Sequence, residues 1–304
     1  MAKQPASKKL REPLGEATRQ LFWSSRPISW INTAYPFGAA YLVATGRIDV
    51  FFVLGSLFFL IPYNLLMYGI NDVFDYESDL RNPRKGGIEG ALLSTRWHKH
   101  TLWSAILFCI PFLAYLVWAA PWAAGWLALF VFTVVAYSAP VLRFKERPVL
   151  DSITSASHFV GPMIYALAVT RIDMLDPHVL AIIISFTLWG TASHAFGAVQ
   201  DVKADREANI SSIATFFGAR ATTRIALLAY AASGILLVTA GVPEEVAAIA
   251  AMPYVVVVAP FWFITDETCE EANRGWRRFI WLNFFAGFVI TMLLIVATQF
   301  GWRG

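Results

Sequence analysis

Apolar runs long enough to cross a bilayer recur from residue 28 to residue 300, each closed by a short polar segment. A spanning helix needs about 20 mainly apolar residues. No water pairs with the backbone in lipid, so such runs must form helices. Nine candidate spans can be read: 28–44, 50–70, 102–119, 122–139, 152–170, 179–199, 223–240, 246–264 and 279–300. The first is the least apolar, with Asn32, Tyr35 and Pro36 inside it. A helix that lines a polar space reads this way, and proline is tolerated where neighbours satisfy the freed backbone. Composition agrees: 57% of residues are hydrophobic and 15% charged, against about 45–50% and about 25% in soluble domains. The expected fold class is an all-α integral membrane bundle of nine transmembrane helices, formed by residues 26–304.

Charge placement orients these spans. With the N-terminus on the cytoplasmic side, only Arg47, Arg171 and Arg303 of the 24 lysines and arginines fall on the opposite face. Cytoplasmic loops carry the lysine and arginine excess, so the chain reads as a multi-pass plasma-membrane protein with a cytoplasmic N-terminus. Residues 1–25 read as a tail. Its first twenty residues are polar and basic, lack the apolar core of a cleaved signal, and are expected to be poorly ordered. The long loops 71–99 and 200–222 both fall on the cytoplasmic side, and long loops in compact folds are commonly functional. Cys109 and Cys269, the two cysteines, form no metal-ligand or disulfide pattern.

Both long loops open on spaced aspartates. Asp72, Asp75 and Asp79, preceded by Asn71, stand at i, i+3 and i+7, while Asp201 and Asp205 stand at i and i+4. If the helices continue, each set shares one face. Either set alone could solvate a loop or cap a helix. Together, in one register on one side of the membrane, they suit a Mg²⁺ clamp on a diphosphate, since Mg²⁺ takes one or two carboxylates plus waters and substrate phosphates. Arg84 and Lys85 follow the first set, with Arg81 just before them. Arg143 and Lys145 lie after the fourth span, and Arg206 follows the second set. Such side chains bind phosphate oxygens, although topology alone also demands cations there.

Asn32, Asn64, His158 and His194 lie inside apolar segments. Intramembrane polar groups face the bundle interior or a cavity, or join helices by hydrogen bonds. Tyr68, Phe74, Tyr137 and Trp189 lie near the motifs and could line a cation-stabilising cavity. There is no P-loop, no dinucleotide fingerprint, no His-Glu-x-x-His and no nucleophile-elbow serine. No nucleic-acid-binding signature is visible. An ion-coupled transporter is a second class to weigh, but its ionisable residues would sit near the midplane, whereas these aspartates cluster at one boundary.

The paired aspartate motifs resemble the signatures of the UbiA superfamily of intramembrane prenyltransferases, over residues 28–300. The resemblance implies nine helices around a central cavity, with Mg²⁺-bound diphosphate between the motifs on the cytoplasmic side. Asp72, Asp75, Asp79, Asp201 and Asp205 would be the metal ligands. Asn71, Arg84, Lys85, Arg143, Lys145, Arg206, Asn32 and Tyr137 would contact substrate or diphosphate. The segments 26–38, 68–70, 81–87 and 205–209 look like those of bacterial lycopene elongases. Many ring-prenylating members have glycine where Asn209 stands, which favours the carotenoid branch over a quinone-precursor acceptor. That branch implies transfer from dimethylallyl diphosphate to lycopene, giving C45 and C50 carotenoids, beside a carotenoid cyclase.

Overall fold

The structure is a computed structural model that describes residues 14–76, 80 and 93–299. Eight helical segments among the described residues are long and apolar enough to cross a membrane. The first expected span is the exception. It forms α2 (Trp30–Thr45), a helix of 16 residues with Pro36 inside and Gly46 in the left-handed C-cap position at φ 65°. Residues before it, expected to be a tail, include the helix α1 (Leu14–Ser24), which packs against α4 with Phe22 and Trp23 exposed.

The second span is two helices, α3 (Val50–Leu60) and α4 (Pro62–Phe74), broken at Ile61. Proline has no N–H and its ring collides with the preceding turn, so carbonyls are left without helical donors. Asn64 meets them. Its Nδ2 donates to the Phe59 and Leu60 carbonyls at 2.9 and 3.0 Å and lies 2.7 Å from Thr33 Oγ1, which itself donates to Phe59 O. The intramembrane asparagine therefore staples a kink to α2.

Then follow α5 (His98–Ala119), α6 (Ala124–Ser138), α7 (Leu150–Thr170) and α8 (Pro177–Val199). Two short helices, α9 (Val202–Glu207) and α10 (Ile213–Phe217), lead into α11 (Ala219–Ala240). The eighth expected span, read as continuous, is segmented into α12 (Glu244–Ala247), a 3-10 turn, α13 (Met252–Val258) and a second 3-10 turn. Pro253 and Pro260 account for the interruptions. The short α14 (Asn273–Trp276) precedes α15 (Phe279–Gln299).

α2 lies against α7, α7 against α8, and α8 against α11, while α4 packs on α5 and α6. Small residues allow this closeness. A Cβ on Gly55 of α3 would stand 2.2 Å from the buried Phe37 ring of α2. The last helix returns to the first span, where Tyr35 and Thr291 hydroxyls meet at 2.8 Å. Apolar side chains such as Trp103, Phe108, Trp118 and Phe288 point outward, as lipid-facing helices require.

Candidate active site

The break at Pro62 sets the direction of α4, whose last turn carries Asn71 and Asp72, with Asp75 at its C-cap. A carboxylate there meets the negative end of the helix dipole and, when buried, loses its hydration. Such groups persist only with cationic partners, and three are present. Arg26 Nη2 lies 3.0 Å from Asp72 Oδ1, with the Asp72 side chain fully buried. The same guanidinium sits over the Tyr68 ring, 4.3 Å from its centroid. Lys145 forms a close ion pair with Asp75, and Arg143 Nη2 stands 3.7 Å from the same carboxylate oxygen. Asn71 Nδ2 donates to Asp75 Oδ2 at 2.5 Å and to Ser138 Oγ at 3.1 Å. The end of α4, the turn before α2 and the loop after α6 thus converge.

That loop is held under strain. Val141, Arg143 and Val149 have φ of 77°, 39° and 72°, values uncommon for any non-glycine residue and outliers for the two β-branched valines, and such values collect at functional sites. Glu146 braces it through an ion pair with Arg143. The hydrogen bond between them raises the Arg143 pKa and holds the Glu146 carboxyl below its usual range, so both stay charged at neutral pH.

Next to Ser138, the Tyr137 hydroxyl meets His194 Nε2 of α8 at 2.9 Å, and His194 Nδ1 meets Ser152 Oγ of α7 at 3.0 Å. The edge of His158 contacts the Tyr137 ring, centroids 5.2 Å apart. Both intramembrane histidines therefore join helices beside the motif. Asn32 is half-buried on α2, outside this hydrogen-bonded cluster.

The second motif opens α9. Asp201 and Asp205 are half-buried one turn apart, with Asp205 N donating to Asp201 O at 2.8 Å. Arg206 is engaged elsewhere: it donates to Asp266 Oδ2 at 2.6 Å and to the Thr215 carbonyl at 3.3 Å. Asp266 also accepts from Ala219 N at 2.7 Å. Asn209, at φ 55°, closes α9 with Ile210 N donating to Asp205 O and Asn209 N to Arg206 O. This is a Schellman end, whose left-handed residue is usually glycine and sometimes asparagine. The asparagine that sequence comparison linked to the acceptor is therefore accounted for by the backbone, and glycine would serve it equally.

Asp79, Arg84 and Lys85 lie outside the described residues. Among the described residues, no three acidic, histidine or cysteine side chains gather to hold a metal unaided. The donors do fit Mg²⁺ shared with a substrate: each motif offers carboxylate oxygens with room in its chemistry for water and phosphate. Sequence reading gave no site role to Arg26, which it counted as a topology charge and as the first residue of the segment 26–38, nor to Ser138, Asp151 and Asp266. A lone arginine at the mouth of the first span, next to Pro27, was the available signal for Arg26.

A helical membrane bundle with charge-balanced carboxylates at its helix ends is the architecture of an intramembrane prenyltransferase. The chain belongs to the UbiA prenyltransferase family, which it matches over residues 33–298. It is 53% identical to a lycopene elongase/hydratase of Corynebacterium glutamicum over 93% of this chain and 99% of that protein. It is 52% identical to the C(50) beta-cyclic carotenoids biosynthesis protein LbtBC of Dietzia sp., spanning 90% of this chain but 64% of that longer protein. In fold it is similar to a UbiA homolog from Archaeoglobus fulgidus solved with DMAPP and Mg²⁺, at a TM-score of 0.65 and 20% identity over 88% of this chain and 98% of that one.

Proposed function

We propose that this chain transfers dimethylallyl groups from their diphosphate to the ends of lycopene, forming C45 and C50 carotenoids, with Mg²⁺ as cofactor. The observation that carries this reading is the 53% identity to a lycopene elongase/hydratase across nearly the whole of both chains. Asp72, Asp75, Asp79, Asp201 and Asp205 would hold the metal. Bound there, Mg²⁺ would supply Lewis acidity to the leaving diphosphate.

The chain's own residues do the rest. Arg26, Arg143 and Lys145 already sit on the first-motif carboxylates. They would turn to the non-bridging oxygens of an arriving diphosphate, a role that Arg84 and Lys85 would share. Asn71 fixes Asp75 against Ser138. Preorganised charge of this kind stabilises the transition state as the allylic C–O bond breaks. Tyr68 and Tyr137 offer ring faces to the allylic cation, which a terminal double bond of lycopene then attacks. No protein nucleophile is needed.

The motifs and the N-terminus would face the cytoplasm, where the diphosphate is made, while lycopene arrives through the bilayer. A carotenoid cyclase is a fitting neighbour, since cyclised C50 products need one. Prenyltransferase family membership and carboxylates at helix ends rather than the midplane argue against ion-coupled transport.

The test is the carotenoid profile of lycopene-accumulating cells expressing this chain. Species heavier by one and two five-carbon units are expected, and should vanish with Asp72→Asn or Asp201→Asn. Unchanged lycopene, with the protein present in the membrane, would remove the carotenoid acceptor and point to an aromatic one.

A further inference from the structure

Attack of a double bond on an allylic cation leaves a new tertiary cation. A neutral product forms only if that cation loses a proton from carbon, or takes up water that then loses one. Either route hands one proton to a base, and no side chain described so far is assigned to receive it. The carboxylates of the first motif are engaged with cations.

We infer that Tyr137 and His194 form the proton-accepting couple that ends the reaction, an inference that rests on prenyl transfer to an alkene as proposed above. Three helices build this couple. Tyr137 stands on α6 directly before Ser138, which receives Asn71 of the first motif. His194 of α8 is 2.9 Å from the Tyr137 hydroxyl and 3.0 Å from Ser152 Oγ of α7. Both rings keep part of their surface accessible. With the proton on Nδ1 and donated to Ser152, Nε2 accepts from the Tyr137 hydroxyl.

The step then balances. A C–H bond beside the cation breaks and its electron pair becomes the new double bond. The proton goes to the Tyr137 oxygen as that hydroxyl's own proton passes to His194 Nε2. The resulting imidazolium is hydrogen-bonded to Ser152, next in sequence to Asp151, a buried carboxylate held by the amides of Ser152 and Ile213, each at 2.7 Å. Once product has left, the proton passes to water.

His158 adds a second observation. It is 3% exposed, its ring abuts Tyr137, and its Nε2 has no hydrogen-bond partner among the described residues. Buried polar atoms are seldom left so. A ring nitrogen without a protein partner suits a water, and a water beside Tyr137 could add to the cation and give its proton to the same couple.

The test is steady-state turnover of dimethylallyl diphosphate with lycopene and Mg²⁺ by the purified full chain. His194→Gln keeps a hydrogen-bonding side chain for Tyr137 but takes no proton. Its kcat should fall about 100-fold, the low end for a positioned base, with KM for the diphosphate unchanged and the ratio of hydrated to unsaturated product altered. Tyr137→Phe, which removes one oxygen and keeps the ring, should show the same kcat loss. A His194→Gln or Tyr137→Phe enzyme matching wild type in kcat and product ratio overturns the couple. A wild type that makes no new carotenoid overturns instead the acceptor reading on which it rests.

Discussion

The Arg26 guanidinium, in the turn that links α1 to α2, and the Asp72 carboxylate, in the last turn of α4, stand 3.0 Å apart though 46 residues apart in sequence. Arg26 reaches Asp72 from a left-handed backbone, φ 49°, with Tyr68 beneath its guanidinium. The segment before α2 thus balances the charge of Asp72, while the loop after α6 balances that of Asp75.

Removing that partner should expose the cost of burying Asp72. In Arg26→Ala the carboxylate remains inside at a helix C-terminus without this counter-ion, and breaking a buried pair from one side costs about 3–5 kcal/mol. Thermal unfolding in detergent should show the variant melting well below wild type. Mg²⁺ with inorganic diphosphate should recover more of its stability than it adds to wild type. Equal melting temperatures would show that Arg26 is dispensable to Asp72.

A second prediction concerns the kink in the second span. Asn64→Leu fills similar space but leaves the Phe59 and Leu60 carbonyls without the Asn64 donor in an apolar interior. An unsatisfied buried polar group costs about 1–3 kcal/mol, so the variant should unfold earlier by that order. Prenyl transfer should fall as well, because α4 carries Asp72 and Asp75. Wild-type stability would mean that Thr33 alone holds the break.

Much of this was legible in sequence because lipid leaves few choices. Apolar runs had to become helices, and paired aspartates at their ends had to meet cations. Arg143 and Lys145 drew notice as basic residues in the loop after the fourth span and Tyr137 as an aromatic near the motifs; the fold brings the first two to Asp75 and the third to His194. Arg26 did not stand out, since every cytoplasmic arginine satisfies topology and only tertiary contact separates one from another. The splitting of the eighth span followed from Pro253 and Pro260, which hydropathy averages away. Asp266 escaped notice because its partners, Arg206 and Ala219, lie 60 and 47 residues upstream.

Asn209 supplies a third prediction. If the left-handed end of α9 is all that position requires, Asn209→Gly should leave stability and the carotenoid product profile unchanged. Asn209→Val should destabilise, since a left-handed conformation costs most L-residues about 1–2 kcal/mol. Chromatography of the products settles it: a shift of acceptor in the glycine variant would show that Asn209 reads the substrate after all.

The fourth prediction is a pH dependence at Asp266. Partial burial pushes its carboxyl up, but the Ala219 amide and Arg206 together outweigh this and hold it below its ordinary range. The folded chain therefore binds this proton less readily than the unfolded chain does, where the value is about 3.9. The resulting stabilisation is complete above that value and is lost as pH falls through the lower, folded one. Asp266 anchors the start of α11 just after Gly218, whose φ of 81° strains any side chain and where a Cβ would stand a tight 3.3 Å from the carboxylate. Asp266→Asn retains an acceptor for Ala219 but not the charge for Arg206. Melting temperatures followed from about pH 6 to about pH 3 should fall less steeply at the acid end in Asp266→Asn than in wild type, and the variant should start lower at pH 6. Parallel curves would mean that the Arg206–Asp266 pair, half-exposed as it is, adds nothing and that α11 is held by the capping hydrogen bond alone.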